Sequence, residues 1–161
     1  MNRNRFAAFA AGTMITAASI GLVAAPAEAN TSSSGCTVVK PAGPKADGYD
    51  SSNRPMVKYV VDVWCNKGRS IRIHQQRWEE DGPNGRGDDY LGEKYWTQSF
   101  LNQSGSVRLT YRTLLPQTWD SGGGKEPNEE LYQKVQFSVT EGLTTSAWTP
   151  FERGGASWIF H

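Results

Sequence analysis

The sequence predicts an all-β protein, a single antiparallel β-sandwich of the immunoglobulin-like kind that carries one disulfide. Two observations predict this fold. Apolar and polar residues alternate with a period of two in five to seven short segments, so each strand has one polar face, as in antiparallel sheets. After the first 29 residues, no window of about 11 or more residues shows convincing helical periodicity.

The amino terminus has the pattern of a secretory signal peptide. Arg3 and Arg5 precede an alanine-rich apolar stretch that runs to about Val23 and ends in Ala27-Glu28-Ala29. The stretch is shorter than the roughly 20 residues that a spanning helix needs. We therefore expect residues 1–29 to be removed after Ala29 and the mature protein to be secreted to the extracellular space.

The mature chain of 132 residues has the size of one domain and carries 15 basic and 15 acidic residues. Nucleic acid and anionic membranes reward a basic surplus, so this neutral balance argues against both as partners. We divide the mature chain into a leader, residues 30–56, and a sandwich domain, residues 57–161. The leader is rich in Gly, Pro and Ser and is expected to be flexible, with one short strand at the apolar residues 36–39.

Cys36 and Cys65 are the only cysteines, and an even number in an exported chain predicts a disulfide. Closing a loop of this length should stabilise the fold by about 3 to 4 kcal/mol. Two alternatives remain open. The first is lipidation of Cys36, although Ser33-Ser34-Gly35 lacks a leucine-like residue at the third position before the cysteine and lies beyond a good A-x-A site. The second is a catalytic thiol, which would need a companion base and a free partner cysteine.

The predicted strands follow in order from residue 57. Residues 57–65 and 71–76 each place their apolar side chains on one face, and Asn66-Lys67-Gly68 between them predicts a hairpin. The further predicted strands are residues 93–101, 106–115, 131–140, 144–151 and 156–161. Two long segments, residues 79–92 and 116–130, interrupt the pattern and are predicted to be loops.

The sequence offers little for catalysis, and we predict a protein without enzymatic activity, cofactor or metal. His74 and His161 are the only histidines, and no nucleophile or metalloprotease motif frames them. His74 falls on the polar face of a strand, which indicates an ordinary surface role. The acidic residues near position 80 lack EF-hand spacing, and the tripeptide Arg86-Gly87-Asp88 has no constraining context.

Six tryptophans are the unusual feature of the composition. Aromatic rings are enriched where a surface binds a partner, and they also fill protein cores. Trp64 has the opposite parity to Val63 and Cys65, so it faces either a second layer or solvent. Trp119, in a glycine-rich loop, is the best candidate for an exposed contact.

These features favour a module that binds another secreted protein. The leader could add a strand to a partner's sheet or cleft, with Thr37, Val38 and Val39 as its contacts and Trp119 as a further one. A carbohydrate-binding module, presenting a planar row of tryptophans, is the first alternative. A hydrolase inhibitor that presents one of the long loops is the second, although neither loop contains a bracing cysteine.

The layout of the mature chain resembles the small secreted adaptor subunits of bacterial umbrella toxin particles. The resemblance lies in the leader with Cys36, in Val61, Trp64 and Cys65, and in the closing Trp158-Ile159-Phe160. It covers the architecture of the whole mature chain. It implies that the protein links a lectin-like subunit to the repeats of a large toxin, with the leader entering the cleft of the lectin.

Overall fold

The computed structural model describes residues 30–80, 87–115 and 128–160. These residues form eleven β-strands and no helix, so none of them belongs to a helix that could cross a membrane. The strands, in chain order, are β1 (Thr31–Ser33), β2 (Cys36–Val38), β3 (Lys45–Tyr49), β4 (Pro55–Cys65), β5 (Arg69–Glu79), β6 (Asp89–Phe100), β7 (Gly105–Leu114), β8 (Asn128–Glu141), β9 (Thr144–Thr145), β10 (Glu152–Arg153) and β11 (Ser157–Phe160).

The strands form two antiparallel sheets. In the first sheet β4 is central, with β7 along one side and β2 and β3 along the other, and β1 pairs with β2 at the edge. In the second sheet β5 lies between β6 and β8, and the outer side of β8 pairs with β9, β10 and β11. This arrangement confirms the predicted all-β sandwich.

The core lies between the inward faces of the two sheets. Its fully buried side chains come from alternate positions of β4, β5 and β8, which is the period-two pattern seen in the sequence. Burying each large apolar side chain of this kind contributes about 1.5 to 3 kcal/mol. The largest apolar side chains that these three strands place between the sheets are Tyr59, Ile71, Ile73, Leu131 and Phe137.

The hairpin predicted for residues 57–76 is wrong. β4 pairs with β7, β5 pairs with β6 and β8, and the turn at residues 66–68 carries the chain from the first sheet to the second. The turn is held where the amide of Gly68 donates to the carbonyl of Phe100, at 2.9 Å. The apolar faces of β4 and β5 therefore meet across the core. Alternation alone does not distinguish strands that lie side by side from strands that lie face to face.

The leader contains three strands of the first sheet, where the sequence predicted one. β2 lies at the predicted apolar residues, whereas β1 and β3 consist mostly of polar residues and glycine that carry little alternation. The Cys36–Cys65 disulfide is confirmed, and it joins directly opposite residues of β2 and β4. It thus lies within one sheet and does not cross the core as the disulfide of antibody domains does.

The buried side chain of Gln133 holds the leader against the core through hydrogen bonds. Its fully buried side-chain amide donates to the carbonyls of Ala42, at 2.7 Å, and Val60, at 3.0 Å, and its carbonyl accepts from Gln75, at 2.6 Å. β2 and β3 pair with different parts of the same edge of β4, and Val60 lies in the gap between them. Its carbonyl therefore needs a donor from outside these strands. Pro41 packs so closely that a Cβ on Gly154 would lie 2.6 Å from its carbonyl oxygen.

Candidate interaction surfaces

Of the four residues predicted to contact a partner, the structure describes three. Val38 is 1% exposed and belongs to the core, so the alternation of β2 turns it away from any partner. Its neighbours Thr37 and Val39 are accessible, and Val39 is 42% exposed. Trp119 lies outside the described residues, as does His161.

β1 and β2 form a tight hairpin at the edge of the first sheet. Ser34 and Gly35, at its turn, have positive φ angles of 48° and 77°, the backbone conformation of a two-residue hairpin turn. The turn is held from outside, because Arg69 Nε donates to the Ser34 carbonyl and the Asn66 amide donates to the Gly35 carbonyl. With the disulfide beside it, this hairpin is anchored to the sheet at both ends of β2.

A shallow groove of about 430 Å³ lies beside the hairpin on the first sheet. Val39 and Trp64, 42% and 40% exposed, give it an apolar wall, and Trp64 therefore faces solvent. Arg108 and Asp62 form a polar part of the groove wall, where Arg108 donates two hydrogen bonds to Asp62, at 2.7 and 2.9 Å. These bonds hold the pKa of the Asp62 carboxyl below its usual value. We call Thr37, Val39, Trp64 and the hairpin the hairpin groove.

The outer face of the second sheet is organised around His74. This side chain is only 6% exposed, which differs from the surface role predicted for it. Its Nδ1 accepts a hydrogen bond from Gln136 Nε2, at 3.0 Å, and its Nε2 lies 2.7 Å from Glu93 Oε2. Since Nδ1 is an acceptor, the ring proton is on Nε2, which donates it to Glu93.

Three aromatic rings cover His74. Tyr95 stacks on the imidazole with ring centroids 4.3 Å apart and planes 8° apart, while Trp148 and Phe151 meet it edge-on at 75° and 64°. The three rings are 39–42% exposed. The guanidinium of Arg72 lies 5.2 Å from the Tyr95 ring centroid and 5.7 Å from that of Trp148. We call Arg72, Tyr95, Trp148 and Phe151, with His74 beneath them, the ring patch.

A second cluster of rings continues this face toward the other end of the sheet. Trp78 and the buried Tyr132 are nearly parallel, and the ammonium of Lys134 lies 4.3 Å from the Trp78 ring centroid. The Tyr132 hydroxyl donates to the Asp88 carboxylate, and its pKa is raised by burial and by this bond. Asp88 is therefore engaged within the fold, which is not the arrangement of a freely presented Arg-Gly-Asp ligand.

The described acidic residues near position 80 are incorporated into the fold. Glu79 is 2% exposed, and Glu80 forms an ion pair with Arg153. Within residues 30–80, 87–115 and 128–160, no three or more His, Cys, Asp or Glu side chains are grouped so that they could hold a metal ion.

Sequence reasoning missed the ring patch, although part of it was visible. Arg72 and His74 share the outward parity of their strand, and Tyr95 lies in the aromatic-rich segment at residues 93–101. The pairing of His74 with Tyr95 across β5 and β6 follows from register, which alternation does not give. Trp148 and Phe151 lie between short strands, where no periodic pattern indicates their direction.

Comparisons with known proteins give no family for this chain. No family model matches it, and no curated protein matches it. Among solved structures it is similar to the one titled "X-ray structure of Northeast Structural Genomics Consortium target SoR45", with 14% sequence identity over 78% of this chain and 89% of that chain and a TM-score of 0.37. A likeness at this level carries no argument about function.

Proposed function

We propose that the protein is a secreted, non-enzymatic adaptor that joins other exported proteins. The observation that carries the proposal is the presence of two surfaces with exposed aromatic side chains, the hairpin groove and the ring patch, on the outward sides of opposite sheets. Trp, Tyr and Arg dominate the binding energy of protein interfaces. The hairpin groove contains Trp64 near Arg108, and the ring patch contains Arg72, Tyr95 and Trp148. Because the two surfaces face away from each other, two partners can occupy them at once.

Export is supported by the predicted signal peptide and by the disulfide. The bond between Cys36 and Cys65 is buried in the first sheet and would persist in an oxidising compartment. Cleavage after Ala29 would leave a mature chain that begins one residue before β1. The mature amino terminus would then lie at an edge of the sandwich.

The leader is the proposed contact for the first partner, but the fold changes which of its residues can take part. β1 is the edge strand of the first sheet, so a strand of the partner can pair with its outward main-chain groups. Thr37, Val39 and Trp64 would supply the side-chain contacts, and Val38 would not. By the resemblance to umbrella toxin adaptors, this partner would be a lectin-like subunit and the other a toxin with repeats.

Carbohydrate binding is the alternative that exposed rings suggest. A flat polysaccharide surface requires a row of coplanar rings, as that hypothesis predicted. In the ring patch, Tyr95 is nearly parallel to His74 while Trp148 and Phe151 stand at steep angles to the same imidazole. The uneven ring surface favours a protein partner. Retention on chitin, cellulose or peptidoglycan, lost in Trp148→Ala, would favour carbohydrate instead.

The test is recovery of the partners from native culture medium with a tagged mature protein. We expect two exported proteins to be recovered, one of them a large repeat-bearing toxin. Deleting residues 30–33 removes β1 but spares the disulfide, so the first partner should be lost from a folded protein. The same loss should follow Trp64→Ala. Deleting the whole leader is not a useful variant, because it uncovers the core at Val38.

Leu143→Ala is the matched control, since Leu143 is fully exposed on the turn between β8 and β9 and belongs to neither surface. This variant should recover the same proteins as the unmodified chain. Circular dichroism would verify that each variant is folded. Recovery of no second protein by the unmodified chain, or undiminished recovery by both hairpin-groove variants, would contradict the proposal.

A further inference from the structure

We propose that the ring patch binds an extended, acidic segment of a partner protein, in which one carboxylate pairs with Arg72. The inference rests on the proposed function, because it assigns a chemistry to the second of the two surfaces. It depends on four features of the outer face of the second sheet. Two cations there form no ion pair with a described residue, and the neighbouring carboxylate is hydrogen-bonded to His74. The aromatic rings are held in place, and the strand register fixes the spacing between the two cations.

Most cations of the first sheet's outer face are paired, the exception among the described residues being Lys45 at the edge, whereas those beside the rings of the second sheet are not. On the first sheet Arg108 is paired with Asp62, while Lys58 and Arg112 are both paired with Asp47, at 3.1 and 2.6 Å. On the second sheet Arg72 and Lys134 form no ion pair with any residue in the described part of the chain. Both cations lie over aromatic rings, which leaves their charge available to a carboxylate.

The acid nearest to the ring patch is already occupied. Glu93 accepts a hydrogen bond from His74 Nε2. Its carboxylate orients the imidazole and forms no ion pair with Arg72. An incoming carboxylate therefore meets a guanidinium whose charge is not compensated within the described fold.

The rings of the patch are held in place before any partner arrives. His74 is fixed by hydrogen bonds on both ring nitrogens, and Tyr95 is fixed by stacking on it. Partly exposed rings on a fixed base bind with little loss of side-chain entropy. Arg72 lies against the same rings, so the charged contact and the apolar contacts are adjacent.

The strand register sets the spacing that a bound segment must match. Lys134 lies opposite Gln76, which is four residues along β5 from Arg72, and His74 lies midway between them. Four residues of extended chain span about 13 Å, and alternate residues point the same way. A bound segment should therefore carry acidic residues at positions i and i+4, with an apolar residue at i+2 against the rings.

The probe is a random library of short peptides displayed on phage, selected on the immobilised mature protein. We expect enrichment of peptides with two acidic residues four positions apart around an apolar one. Chosen peptides are then synthesised, and their dissociation constants are measured by fluorescence anisotropy. We expect binding to weaken about tenfold or more in Arg72→Glu and in Trp148→Ala, and to weaken as the salt concentration rises.

Lys67→Glu is the matched control, since Lys67 is exposed on the turn between the sheets and its replacement changes the net charge as Arg72→Glu does. Peptides should bind this variant as they bind the unmodified protein. Enrichment of peptides without acidic residues, no enrichment at all, or equal binding to Arg72→Glu would overturn the inference. Inhibition of peptide binding by soluble chitin fragments, with no acidic preference, would also overturn it.

Peptide binding and partner recovery, measured together, distinguish failure of one proposal from failure of the other. If the protein that lacks residues 30–33 binds the acidic peptides normally while the unmodified chain recovers no exported partner, the ring patch inference stands and the adaptor proposal fails. If two partners are recovered but both still bind Arg72→Glu and Trp148→Ala, the adaptor proposal stands and the ring patch inference fails.

Discussion

The outer faces of the two sheets arise from the same alternating pattern but carry different chemistry. On the face of the first sheet, Lys58, Arg108 and Arg112 are neutralised by ion pairs with Asp47 and Asp62, and among the described residues only Lys45, at the edge, remains unpaired there. The face of the second sheet has Arg72 and Lys134 over rings, with no acid of the described fold to neutralise them. Polarity at alternate positions is therefore enough to make a strand, but the pairing of charges across strands decides which face can receive a charged partner.

The two faces are also secured by different means. The edge of the first sheet depends on a covalent bond between β2 and β4, beside the short polar strands β1 and β3, which contribute little burial. The second sheet depends on long strands and on a hydrogen-bonded histidine beneath its rings. Three changes, in order of expected effect, test this difference.

The largest effect should come from Cys36→Ala combined with Cys65→Ala. Removing the bond restores the freedom of a loop that spans 29 residues, so the free energy of unfolding should fall by about 3 to 4 kcal/mol. Urea denaturation measures this loss. Loosening should be confined to the first sheet, so peptide binding at the ring patch should persist under conditions where the variant is folded. An unchanged urea midpoint would contradict the role given to the bond.

The next effect should come from His74→Ala. The change removes the hydrogen bonds to Glu93 and Gln136 and the stacked support of Tyr95, so the free energy of unfolding should fall by about 2 kcal/mol. Urea denaturation and near-ultraviolet circular dichroism would measure the loss of stability and of ring order. His74→Phe, which keeps a ring beneath Tyr95, is the comparison variant and should lose less ring order. Equal near-ultraviolet spectra for all three proteins would show that His74 does not fix the rings.

The smallest effect should come from Asp62→Asn, because exposed ion pairs contribute at most about 1 kcal/mol. Hydrogen bonds from Arg108 lower the pKa of Asp62 in the folded protein. Its contribution to stability is therefore present above the pKa of the unfolded chain and is lost as the pH falls through the lowered folded value. The unmodified protein should lose more stability than the Asn variant between pH 5 and strongly acidic conditions. Identical pH profiles would exclude this contribution.

The sequence predicted those parts of the fold that depend on local alternation. The strands β4, β5, β7 and β8 and the disulfide were identified, because their signals lie in neighbouring residues or in the cysteine count. The crossing from β4 to β5 was not, because the turn at residues 66–68 has the same composition whether it joins paired strands or separate sheets. β1 and β3 were missed because polar edge strands bury almost nothing and so have no apolar period.

The candidate surfaces were less predictable than the fold. Thr37 on β2 and Val39 directly after it are accessible, as a partner contact requires, but Val38 is buried, because alternate residues of a strand point to opposite faces of the sheet. The ring patch brings together Arg72, Tyr95 and Trp148, which are far apart in the sequence. Their proximity depends on register and on the return of the chain along β8, neither of which is encoded in any single segment.

The position of the disulfide has a mechanical consequence for a protein that is held by its amino terminus. A pull on Asn30 can peel β1 away from β2 one residue pair at a time, because only hydrogen bonds join them. At Cys36 the peeling stops, and the load passes through sulfur to Cys65 and into the middle of the first sheet. A tether attached at this end therefore extends by a few residues and then transmits force to the whole sandwich without unravelling it.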